Sequence, residues 1–125
     1  MIEIEIENRS GAPASSSQIE SVCRTVLAAE GVETGELGIW LVDGGEMRGL
    51  KRDHLGIDDV GDVLSFPIDG SDPVPDGVPR ALGDIFLCPT VVGDAWRPSL
   101  IHGLLHLLGY THGPAMERRE AELAV

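Results

Sequence analysis

Residues 102–112 read HGLLHLLGYTH, and no other stretch constrains the fold so tightly. Leu104, Leu105, Leu107 and Leu108 make this predicted helix apolar on nearly all sides. A helix of that kind is built into a core rather than laid on a surface. Yet His102 and His106 stand four residues apart, so both rings emerge on one face, one turn from each other. Polar rings on a buried helix need a partner. Gly109 is placed to end the helix, after which the chain can reverse and bring His112 back toward the first two rings. Two histidines at helical spacing are a weak signal. The third, just past a helix-ending glycine, makes a shared metal ion the better explanation.

Three neutral imidazoles leave a fourth corner for water, the arrangement of a catalytic zinc site. A structural site would be closed by a fourth protein ligand, and no cysteine lies near to close it. The same donors also suit nickel, copper or iron. Zincin proteases place a general-base glutamate directly after the first histidine. Here that position is Gly103, so any hydrolysis has to rest on water acidified at a metal.

The remaining sequence predicts an α+β chain. Ile2, Ile4 and Ile6 alternate with Glu3, Glu5 and Glu7, a strand with one face in the core and one in water. Ser17-Gln-Ile-Glu20 has capping-box spacing and opens a helix over 16–30. Strands are expected over 37–42, 62–68 and 82–88, and a short helix over 45–53. Residues 69–80 are rich in Pro, Gly and Asp and read as a mobile loop. Pro89 can begin a short helix that Pro98 then stops or kinks. Ser99 would cap the histidine helix over 99–108, and a last helix takes 114–124. The expected architecture is one small four-stranded mixed sheet packed with four to five helices.

Length and composition bound the rest. The 125 residues suffice for one core, so a single domain over 1–125 is expected. No apolar run could span a bilayer, and the N-terminus carries no secretory pattern. Cys23 and Cys88 have no metal-type spacing and read as buried free thiols of a reducing cytoplasm. The net charge of −12 argues against broad affinity for nucleic acid, whose main attraction is phosphate neutralisation. RNA contacts must be local, and DNA is not expected. Arg48, Lys51 and Arg52 form the one basic cluster, which is usually just a solvated helix face.

The histidine stretch resembles the metal motif of the YbeY family, bacterial single-domain proteins implicated in ribosomal RNA maturation. Asp62-Val-Leu-Ser-Phe-Pro67 and Leu82-Gly-Asp-Ile85 resemble two further family blocks, in the same order. Met116 and Glu120 match a methionine and a glutamate that follow the third histidine. The resemblance covers residues 35–122. It implies a zincin-like α+β fold with one zinc ion on His102, His106 and His112. It also implies a metal-dependent single-strand endoribonuclease that processes small-subunit rRNA at its 3′ end and serves ribosome quality control.

Besides Gly61, which stands for the threonine before Asp62, two positions and one segment depart from the family pattern. Leu55 stands where the family has an arginine, with Arg52 one turn back as the substitute. Thr111 replaces the aspartate before the third histidine, behind the ligands. The segment between Asp84 and His102 is shorter than in the family. On this reading Arg52 and Ser65 are the catalytic candidates, and Lys51 and Arg52 the phosphate contacts. Asp84 would orient a ligand imidazole, or else cap a turn. His54, Trp40 and Trp96 are read as structural. Two other functions fit the same residues. One is a metal-stabilised ribosome-assembly factor that cuts nothing and binds RNA or a ribosomal protein. The other is a metal-dependent hydrolase of a peptide or small molecule.

Overall fold

A computed structural model describes residues 1–55, 63–69 and 72–124. Four strands form one sheet in the order β1-β2-β4-β3: β1 Ile2–Asn8, β2 Gly35–Leu41, β3 Val63–Pro67 and β4 Ala81–Leu87. β1 and β4 both run parallel to β2, and β3 runs antiparallel to β4. The sheet is therefore mixed, as expected. Asp62, the expected first residue of the third strand, lies outside the described residues.

The alternation in β1 does what its period dictates. Ile2, Ile4 and Ile6 pack against the main core, while Glu3, Glu5 and Glu7 stay exposed. Register carries this face across the sheet, since Ile6 pairs with Ile39 and Ile39 with Ile85. Helix α1, Ser16–Ala29, lays Ile19, Cys23, Val26 and Leu27 into the same core. Its cap is Ser15, whose hydroxyl accepts from the Gln18 amide at 3.3 Å, and not the expected Ser17. Glu20 pairs with Arg24 at 3.0 Å instead of reaching back to complete a capping box.

The other face of the sheet holds a second, smaller apolar cluster. Helix α2, Gly44–Leu55, places Met47 and Leu50 there beside Leu64, Phe66 and Phe86. Asp43 caps this helix, its Oδ1 accepting from the Glu46 amide at 2.8 Å. A short helix α3, Pro89–Val92, and a 3-10 turn, Gly93–Ala95, lead into α4, Trp96–Leu107. Pro98 neither stops nor kinks a helix. It sits third in α4, within the first turn, where an amide hydrogen has no intrahelical acceptor to lose. Ser99 is accordingly buried inside α4 and does not cap it. Helix α5, Pro114–Leu123, closes the chain against α4.

Helix α4 is the centre of the packing, and contacts α1, α5, β3 and β4. Leu100, Ile101, Leu104, Leu105 and Leu107 are all buried. Each such side chain contributes on the order of 2 kcal/mol. Gly83 lets the helix sit this close. A Cβ there would lie 2.7 Å from Leu107 Cδ1 and 2.3 Å from the Phe66 carbonyl oxygen, at a φ of +143°.

Three outcomes are expected. Gly83→Ala should cost about 2–4 kcal/mol in urea denaturation through overpacking and strain. Gly49→Ala, in the α2 interior with only the Arg52 guanidinium nearby at 3.9 Å, should gain up to about 1 kcal/mol. Burial, with the Glu20 carboxylate adding to it, pushes the Cys23 thiol up to about 12. Cys88 is buried as well. Neither thiol should react with a disulfide reagent at pH 8 until denaturant is added.

Candidate metal centre

The last turn of α4 sets the site. The Gly109 amide donates to the His106 carbonyl and the Tyr110 amide to the Leu105 carbonyl, both at 3.0 Å. With Gly109 at φ +103°, these two bonds form the glycine-terminated helix end known as a Schellman motif. The reversal turns the Tyr110 carbonyl back onto the helix, where it accepts from His106 Nδ1 at 2.9 Å. His112 follows on the returning segment. Its Nε2 lies 2.7 Å from His106 Nε2, which in turn lies 3.1 Å from His102 Nε2. A ligand atom from each of the three rings lies within 4.8 Å of the others.

The protons can be placed from the partners. A carbonyl has no hydrogen to give, so His106 Nδ1 is the donor to Tyr110, and Nε2 of the neutral ring is a bare lone pair. His102 Nδ1 faces Glu120 Oε1 at 3.1 Å and donates to it, so in the neutral ring, the form that binds a metal, His102 Nε2 is the lone pair. Burial lowers the His106 pKa most. The Tyr110 bond opposes that, and the neighbouring His102 and His112 lower it further. With both rings neutral, two lone pairs face each other across 3.1 Å. A cation resolves that repulsion. Tetrahedral zinc with bonds of about 2.0–2.1 Å spaces its nitrogens by about 3.3 Å, close to the 3.1 Å between His102 and His106, while the 2.7 Å between His106 and His112 would have to open. His102 and His106 are half-buried while His112 is exposed, so the cluster opens to solvent on the His112 side. The donor set and its tautomers fit one divalent ion.

The other expected site residues fall at varying distances from this cluster. Ser65 on β3 comes up beneath α4, where its hydroxyl donates to the Gly103 carbonyl at 2.8 Å. It seats the residue after His102. Asp84 does not orient an imidazole. Its neighbours Gly83 and Ile85 face α4, and strand alternation therefore turns Asp84 to the opposite side of the sheet. There it accepts from Trp40 Nε1 at 3.1 Å, directly over Gly38, whose missing Cβ makes the room. Thr111 is exposed. Lys51 and Arg52 ride α2, which packs on the sheet face turned away from α4. Lys51 is nearly covered, at 9% exposure. Arg52 is exposed and loosely paired with Asp53 at 3.7 Å. His54 meets the Phe66 ring edge-on at 5.1 Å, a packing role.

Sequence reasoning assigned no role to Glu120 or to the Tyr110 carbonyl, and these hold the rings. Glu120 stands four residues after the buried Met116, a spacing that puts both on one helix face. The carbonyl left no side-chain signal at all.

A model of the family described as Endoribonuclease YbeY matches residues 2–124. The chain belongs to the YbeY family. The Endoribonuclease YbeY of Halorhodospira halophila is 39% identical to this YbeY-family chain over 138 residues, covering 98% of the chain and 89% of that protein. The Endoribonuclease YbeY of Mycolicibacterium paratuberculosis is 38% identical over 136 residues, covering 95% of the chain and 77% of that protein. Both alignments are longer than the chain's 125 residues, so these relatives carry insertions that it lacks. The solution structure of TM1509 from Thermotoga maritima superimposes with a TM-score of 0.57. It covers 98% of the chain and 86% of that protein at 23% identity, and so supports the α+β fold alone. Among the described residues of this YbeY-family chain, no helix is long and apolar enough to cross a membrane.

Ser65→Ala should cost about 1 kcal/mol of stability, the worth of one hydrogen bond. Zinc binding, read by chelator competition, should stay near that of the unmodified chain, since the hydroxyl serves the helix seat and not the ion.

Proposed function

We propose that the chain is a metal-dependent endoribonuclease that cuts single-stranded RNA, with the 3′ end of small-subunit rRNA as its target. We read residues 1–125 as one such domain, acting in the cytoplasm in ribosome biogenesis and quality control, with a ribosomal protein as a further partner. The observation that carries this reading is the convergence of three Nε2 atoms, with acceptors fixed at Nδ1 of two of the rings. Membership of a family described as an endoribonuclease supports the substrate class.

Zinc is the ion we assign, on His102, His106 and His112. When bound it supplies Lewis acidity and lowers the pKa of a coordinated water to about 7. The chain's own part is to hold the ligands in the correct tautomer and leave one side open. His106 keeps its proton on Nδ1, committed to Tyr110, so its other nitrogen remains an electron-pair donor. We assign Arg52, exposed and weakly paired on the sheet face away from α4, to RNA phosphates distant from the ion, with Lys51 beside it as a lesser contributor. Ser65 fixes the helix that carries the ligands.

The test uses a 5′-labelled RNA carrying the precursor of the small-subunit rRNA 3′ end, the zinc-loaded chain and His106→Ala. Internal cleavage should stop with a chelator, return with zinc, and fall to below about a hundredth in the variant, whose circular dichroism should be unchanged. Equal cleavage by both proteins refutes the proposal. Zinc bound without histidine-dependent cleavage favours the second reading, a metal-stabilised assembly factor that cuts nothing. The replacement of the family arginine by Leu55 speaks for that reading.

A further inference from the structure

We propose that Glu120 is a positioning residue of the metal centre, fixing the tautomer and orientation of His102 and raising the zinc affinity of the cluster. This inference rests on the reading of the three histidines as a metal site.

Packing brings Glu120 to the ring. Met116 is 1% exposed and belongs to the main core, which pins the inward face of α5. Glu120 follows one turn later on that face, and its Oε1 lies 3.1 Å from His102 Nδ1. The adjacent Arg119 anchors the same turn elsewhere. Its Nε donates to Glu30 at 2.6 Å and its Nη2 to the Ala29 carbonyl at 2.9 Å, at the end of α1. Helix α5 is therefore held by its core contact and by α1, and Glu120 meets the imidazole already in place.

Among the described residues, this is the one carboxylate paired with a ring of the cluster. Asp84 is on the far side of the sheet, bonded to Trp40, and Thr111 is exposed. The acceptor behind His106 is a neutral carbonyl. A carboxylate behind a ligating imidazole does more than a carbonyl. Its charge favours electron donation from the opposite nitrogen, and loss of such a partner typically weakens metal binding by about 10–100-fold.

The experiment compares the full chain with Glu120→Ala, Glu120→Gln and Arg119→Ala. Zinc affinity is read by competition with a chromophoric chelator. The His102 tautomer is read from the imidazole nitrogen shifts of the metal-free protein at pH 8. Glu120→Ala should bind zinc about 10–100-fold more weakly and lose the Nδ1–H tautomer preference. Glu120→Gln should keep the tautomer through its amide oxygen and show an intermediate loss of affinity. Arg119→Ala should lower the melting temperature and leave affinity within about threefold. The proposal is overturned if Glu120→Ala binds zinc like the unmodified chain and keeps the same His102 tautomer. If Glu120→Ala fails to fold, Glu120→Gln decides on affinity. Should the unmodified chain take up no zinc, the reading of the centre fails. The tautomer comparison in the metal-free proteins then decides whether Glu120 governs the ring.

Discussion

The seating of α4 on the sheet is the interaction on which everything else depends. Two glycines make it possible from opposite sides. Gly83 on β4 yields to Leu107. Gly103 on α4 yields to the sheet, where a Cβ would lie 2.8 Å from Val63 Cγ2, 3.2 Å from Ser65 Oγ and 3.4 Å from Ile85 Cγ2. Interiors are packed to crystal-like density, so a methyl group too many at either point would lift the helix. The five buried aliphatic side chains of α4 outweigh the cost of carrying two half-buried imidazoles on the same twelve residues. One short segment thus serves as the middle of the core and as the frame of the site.

Much of the sequence's acidic excess is spatially sorted. Glu3, Glu5, Glu7, Glu36 and Asp84 gather around a groove on the sheet face that α4 does not occupy. A net charge of −12 looks hostile to a polyanion when read as a total. These five carboxylates instead lie across the thickness of the sheet from the imidazoles. Solvent and salt screen the path around the sheet edge within about 8–10 Å. Net charge describes the molecule's solubility better than it describes one of its faces.

What could be read in advance follows from how local each signal is. The Ile-Glu alternation of β1 and the His-x-x-x-His spacing are periodic, and period alone fixes which side chains share a face. Gly109 was legible because a left-handed helix end favours glycine. The cap of α1 was misplaced because Ser15, Ser16 and Ser17 offer the same chemistry in succession, and only the backbone path chooses among them. Pro98 misled because a proline's effect depends on its depth within a helix, which the sequence does not print. Asp84 could be excluded only once Gly83 and Ile85 were seen to face α4, because Leu82 and Phe86 make its own side of the strand equally apolar. Gly83 and Ile85 flank it, and a strand cannot turn three consecutive residues to one helix. Glu120 was legible as a family match, but its contact with His102, like that of the Tyr110 carbonyl with His106, appeared only with α5 docked and the chain reversed.

The parts of this centre lie unevenly along the chain. The surface that supports it is built from strands ending at Leu87, whereas every group that grips the rings falls between His102 and Glu120. Ribosomal synthesis runs from the amino end, so the strands emerge before α4, the helix whose side chains complete their core. The imidazole trio acquires both of its braces only when α5 has left the exit tunnel and folded back. A nascent chain stalled before Glu120 would have His106 already tied to the Tyr110 carbonyl while His102 still lacked its carboxylate.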